Sequence, residues 1–178
     1  MIRAAFLRGM NLGKRRITNA DLRAEFERLG FDAVQTFQAA GNVVFEAGDA
    51  DEDELVATIE SGLGDGLGYA VPTVIRSAEE VRGIVAAEPF PAAAVESSKG
   101  KLQVALLASA PAASARDEVL ALASDDDRLA FGPRELYWLP SGGVSDSGLD
   151  LRAIESVLGL QTVRTRGTLE RLVAKHLP

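Results

Sequence analysis

Two strand-like segments, AVQTFQ at 33–38 and NVVFEA at 42–47, stand three residues apart around AAG. No other feature constrains the architecture as much. Both are rich in β-branched and aromatic residues, and Gly41 and Asn42 tolerate the positive φ of a tight turn, so the pair predicts a hairpin. Amphipathic helices flank it. In ITNADLRAEFERLG (17–30), Leu22, Phe26 and Leu29 share one face and Gly30 ends the run; between Asp53 and Leu63, Leu55, Ile59 and Leu63 recur every fourth position. Thr18, three residues before Asp21, gives a capping-box-like start with Asp in place of the usual Glu. IRAAFL (2–7) precedes the first helix as a strand. AVPTVIR (70–76) follows the second, its Pro72 favouring a sheet edge. The order strand, helix, strand, strand, helix, strand is that of a split β-α-β, ferredoxin-like unit.

The remainder predicts the same order again. SAEEVRGIVAAEPF (77–90) reads as a connecting helix stopped by Pro89, and PAAAVESSKG (91–100) as a linker or exposed loop. KLQVALLA (101–108) is a strand, ASARDEVLALAS (113–124) a helix, and RLAFG with ELYWLP a hairpin turning at Gly132 and Pro133. GLDLRAIESVLG (148–159) is a further helix, QTVRT (161–165) a short strand and GTLERLVAKHL (167–177) a terminal helix. The expected fold class is α+β, with two ferredoxin-like (alpha-beta plait) domains in tandem joined by a connecting helix. Residues 1–78 form the first domain, and 79–178 the connecting helix, second domain and C-terminal helix. Hairpins within both halves argue against one doubly wound sheet.

At 178 residues with 47% hydrophobic content, the chain can bury a sizeable core. It contains no cysteine, which excludes disulfides, thiolate metal sites and cysteine nucleophiles. The absence of a charged-then-apolar leader and of a long apolar run predicts a cytoplasmic protein without membrane association. A net charge of −7 opposes general attraction to nucleic acid. The charge is uneven, however. Residues 46–65 carry acids without one Lys or Arg, whereas 1–30 hold an excess of arginine.

The expected topology brings the end of the first strand, the hairpin tip and the start of the first helix to one rim of the sheet. There, LRGMNLG (7–13) and AAGN (39–42) compose a candidate ligand site. Arg8 offers a bidentate fork for carboxylate or phosphate, Asn11 and Asn42 orient polar groups, Gly9 and Gly13 permit close backbone approach, and Gly41 belongs to the hairpin tip. Free N–H groups and the dipole at the helix start add positive potential. The opposing reading is a glycine turn with a solvated arginine. No residue stands out as a general base, so any catalysis would draw on acidic side chains or on the ligand.

Other motifs are weaker. GLGDGLG (62–68) mimics a nucleotide fingerprint but closes a helix instead of opening one. PSGGVSDSG (140–148) lies between a strand and a helix and lacks the Walker lysine; Ser147 reads as the helix cap. DDD at 125–127 reads as a solvated turn without the spaced ligands of a calcium loop. No metal ligands are assigned. His176, the only histidine, fits no catalytic triad. Tyr137 and Trp138 point to opposite sheet faces, one expected in the core and the other exposed.

The LRGMNLG loop, DLRAEFERLGFDAVQTFQAAGNVVF and EPF at 88–90 closely resemble a bacterial family of unknown function, domain of unknown function 1697. Its pattern is matched at Arg8, Gly9, Asn11, Gly13, Gly41 and Asn42. Ala40 replaces the family's usual serine, and a C-terminal Thr-Arg-Asn-Trp-Asn-Thr stretch is shortened to TRGT at 165–168. The resemblance implies a pair of ferredoxin-like domains. It names neither substrate nor cofactor. The leading functional expectation is a small-ligand-binding protein, or an enzyme of unknown activity, holding an anionic group at the rim. A protein-protein interaction module without catalysis comes next, and an RNA-binding module last, because the strands lack paired exposed aromatics and a basic signature.

Overall fold

The computed structural model describes residues 1–10, 13, 15–38 and 41–177. The chain is α+β and forms two compact units, one of Met1–Arg82 with Leu172–Pro178, the other of Gly83–Arg171. Each is built on a four-stranded antiparallel sheet flanked by helices. Among the described residues, no helix is long and apolar enough to cross a membrane.

The first unit runs β1 (Ile2–Leu7), α1 (Asn19–Arg28), β2 (Asp32–Phe37), β3 (Asn42–Glu46), α2 (Glu52–Leu67) and β4 (Thr73–Ser77), leading into α3 (Ala78–Ala86). Its strand order is β2-β3-β1-β4, which puts β4 at an edge as Pro72 predicts. The helices start where the sequence supplies caps. Thr18 accepts from Asp21 N–H at 3.0 Å and donates its hydroxyl to the Asp21 carboxylate at 2.7 Å. Asp51 accepts from Glu54 N–H at 2.9 Å, and the acids Glu52, Asp53 and Glu54 occupy the favourable first turn of α2. Leu22 and Phe26 of α1 join Leu55, Ile59 and Leu63 of α2 over Val43, Phe45 and Ile75 of the sheet. The Phe45 ring lies 5.5 Å from Phe26 and 4.6 Å from Phe31.

α2 extends beyond the expected end at Leu63, passing through GLGDGL to Leu67 before Gly68 closes it at φ 76°. Packing explains the extension. A Cβ on Gly62 would overlap the Leu29 side chain, and one on Gly66 would lie 2.7 Å from the Glu25 carboxylate. Two glycines four residues apart thus clear a path for α1, offsetting their poor helix propensity. GLGDGLG is a helix-packing surface.

The second unit contains α4 (Ala92–Ser97), β5 (Gln103–Leu107), α5 (Ala113–Leu120), β6 (Asp127–Phe131), β7 (Glu135–Pro140), α6 (Leu151–Leu158), β8 (Gln161–Thr165) and α7 (Arg166–His176). Its strand order, β6-β7-β5-β8, matches the first. The segment read as a linker thus holds the short α4, in an Ala-rich stretch of high helix propensity. α7 continues past Arg171, so Leu172–Pro178 belongs to the first unit.

Both Tyr137 and Trp138 are buried, contrary to the expectation that one is exposed. Trp138 packs with Ile154 and Leu158, whereas the Tyr137 hydroxyl reaches the Ile84 carbonyl at the end of α3 at 3.4 Å. Both faces are covered at the central strands β5 and β7, all of whose residues are buried. Asp127 is likewise buried, because its carboxylate accepts from Trp138 Nε1 and from the Ser147 hydroxyl, each at 2.7 Å. Ser147 is therefore tied to the hairpin, and Asp150 caps α6 instead, accepting from Arg152 and Ala153 N–H.

Candidate functional site

β1 ends at the rim between two other segments. Leu7 N–H donates to Gly41 O, and Arg8 N–H donates to Pro72 O, both at 2.8 Å. The hairpin tip thus sits on one side of the strand end and Val71–Thr73 on the other. The second neighbour has no signature in the sequence. It is fixed by Glu60 of α2, whose carboxylate accepts from Thr73 N–H at 2.8 Å, and by the Thr73 hydroxyl, which donates to Val71 O at 3.0 Å. Nothing in the sequence identifies Glu60 as a clamp except its place one residue after the buried Ile59.

Gly41 makes the closest approach. At φ 71°, its Cα faces Leu7 and Met10 so tightly that a Cβ would lie 2.9 Å from Leu7 Cβ and from Met10 Cγ. Gly9 also has positive φ, 76°, and Met10 is buried. Arg8 is half-buried between these two anchored backbones. The structure therefore brings Arg8, Gly9, Gly41 and Asn42 together.

The candidates differ in role. Asn42 is buried, and its side-chain amide donates to Phe37 O at 3.0 Å, closing the hairpin from within. Gly13, at φ 58°, is exposed, and a Cβ added there would meet nothing within 4 Å. Asn11 lies outside the described residues, as do Lys14, Ala39 and Ala40. The Arg15 guanidinium stacks over a ring, 4.2 Å from the centre of Tyr69. At the start of α1, Asp21 places a carboxylate inside the first turn, which reduces the positive potential available there.

The second unit supplies an internal comparison. Leu107 N–H donates to Arg134 O and Ala108 N–H to Leu160 O, each at 3.0 Å, repeating the two bonds made by Leu7 and Arg8. The register agrees: Leu7 pairs with Thr73, and Leu107 with Gln161. The same backbone rim is therefore built with alanine where the first unit has Arg8.

Titration shifts occur elsewhere. Burial, with the neighbouring Glu135 carboxylate next, holds the Tyr137 phenol far above its usual range, and desolvation lowers the Arg164 guanidinium to about 10. Among the described residues, no group of three or more His, Asp or Glu side chains is placed to hold a metal ion.

No curated protein matches the chain. Among solved structures, the conserved bacterial protein SP0830 from Streptococcus pneumoniae has the same fold, with a TM-score of 0.72 at 20% identity over 96% of this chain and 95% of that one. The model of the family described as protein of unknown function (DUF1697) matches residues 1–137, and the chain belongs to that family.

Proposed function

We propose that the first unit is a ligand-binding module and that its rim holds a small anionic group between Arg8 and the backbone of Gly9 and Gly41. The repeated rim carries this reading. Ala108 makes the backbone bond that Arg8 makes, so the architecture does not require a guanidinium at this position. Arg8 stands half-buried at this rim, and its planar fork suits carboxylate or phosphate. Asn42 acts as a hairpin clamp in this reading, which leaves Arg8 as the main polar determinant.

We also read each unit as a ferredoxin-like plait. The β-α-β-β-α-β order and the strand orders β2-β3-β1-β4 and β6-β7-β5-β8 support this assignment. The ligand rim belongs to the half spanning 1–78, and 79–178 carries the connecting helix, the second domain and the C-terminal helix. RNA binding gains no support from the sheets, because Phe6, Phe45, Tyr137 and Trp138 are all buried and present no stacking platform.

Thermal denaturation with inorganic phosphate, nucleoside monophosphates and small dicarboxylates tests the rim. A ligand of the native state at one hundred times its Kd adds about 2.7 kcal/mol of stability. At least one of these anions is expected to raise Tm in the wild type and to lose that effect in Arg8→Ala. No shift in the wild type, or an undiminished shift in the variant, overturns the reading.

A further inference from the structure

Two stretches far apart in sequence, EPF at 88–90 and TRGT at 165–168, meet in the second unit around a cavity of about 390 Å³. Its volume is in the range of small-molecule sites. Phe90, Val95 and Leu102 give it an apolar lining, and five charged side chains surround that lining. Arg166 is already engaged: it donates from Nε to Glu170 at 3.0 Å and from Nη2 to Val85 O at 2.9 Å. The Glu88 and Glu96 carboxylates and the Lys101 ammonium make no hydrogen bond or ion pair among the described residues.

Lys101 is held in an unusual conformation. Its φ of 59° is left-handed, and Gln103 fixes the bend by donating its side-chain amide to Gly100 O at 2.8 Å and to Lys101 O at 3.2 Å. Such strain persists only where the surroundings enforce it. The exposed Lys101 borders the cavity together with the two exposed carboxylates of Glu88 and Glu96.

We propose that this cavity binds a free α-amino acid with an apolar side chain. The side chain covers Phe90, Val95 and Leu102, the carboxylate pairs with Lys101, and the ammonium pairs with Glu88 or Glu96. A simple anion leaves the acids unanswered and a simple cation leaves Lys101 unanswered; a zwitterion satisfies both signs at once.

Titration of the full chain with L-leucine and L-phenylalanine, followed by amide NMR, provides the test. Saturable shifts are expected at Lys101 and Gly167. 3-Phenylpropionate, which lacks the ammonium, and phenethylamine, which lacks the carboxylate, are expected to bind about tenfold more weakly, a difference of about 1.4 kcal/mol. Lys101→Asn, which tolerates left-handed backbone, and Glu88→Gln should each weaken L-phenylalanine by a similar factor while leaving Tm unchanged. Absence of saturable shifts at these amides, or equal binding of all the analogues, overturns the proposal. Neither amino acid is among the anions that probe Arg8, so the two readings fail independently.

Discussion

Leu7 N–H donates to the carbonyl of Gly41 at 2.8 Å, and a Cβ on Gly41 would stand only 2.9 Å from that of Leu7. The hairpin tip and the strand end are therefore one packed object. Gly41→Ala meets both a left-handed backbone and a steric conflict, together costing about 2–4 kcal/mol. Urea denaturation should show a lower midpoint at unchanged m. A midpoint equal to the wild type would show that the contact is not tight.

The glycines of α2 separate packing from propensity. Gly64 has Tyr69 O as its nearest neighbour, 4.0 Å from a Cβ, so Gly64→Ala should stabilise the protein by up to about 1 kcal/mol. Gly62→Ala should destabilise it by about 1–3 kcal/mol, because its methyl overlaps Leu29. Opposite signs in thermal or urea unfolding are the expected result.

Asp127 is expected to be a strong stability determinant of the second unit. Asp127→Ala strands the buried Trp138 N–H and removes the Ser147 hydroxyl's acceptor, a loss of about 2–4 kcal/mol. Trp138 is the single tryptophan, so its fluorescence reports the change directly. In a double-mutant cycle, Trp138→Phe should recover part of the Asp127→Ala loss.

His176 packs edge-on against Phe37 with ring centres 5.8 Å apart, and its buried Nε2 has no hydrogen-bond partner among the described residues. Desolvation, and then the Lys175 charge, lower its pKa from the ordinary 6.5. The unfolded chain therefore binds the proton more readily than the native one. The resulting stability is fully present above pH 6.5 and is lost as the pH falls through the depressed native value. His176→Leu should flatten stability against pH in this window. An unchanged slope would remove His176 as its source.

Much of the fold is legible in the sequence because its local signals agree: Thr18 and Asp51 cap helices, Leu55, Ile59 and Leu63 share a face, and Gly41 turns the hairpin. Contacts between distant residues are less legible. Gly62 and Gly66 look like helix breakers until Leu29 and Glu25 occupy the space above them, and Asp127 looks solvated until Trp138 and Ser147 reach it. At the rim, the turn types expose Gly41 and the residue class exposes Arg8. The roles of Asn42 and Glu60 depend on partners five and thirteen residues away, which no short motif encodes.

Anion binding by Arg8 beside the Gly9 and Gly41 backbone is tested most directly by amide NMR of the full chain titrated with inorganic phosphate, and then with nucleoside monophosphates. Saturable shifts at Leu7, Gly9 and Gly41 that disappear in Arg8→Ala are the predicted result. The absence of shifts at these amides, or their persistence in Arg8→Ala, would contradict it.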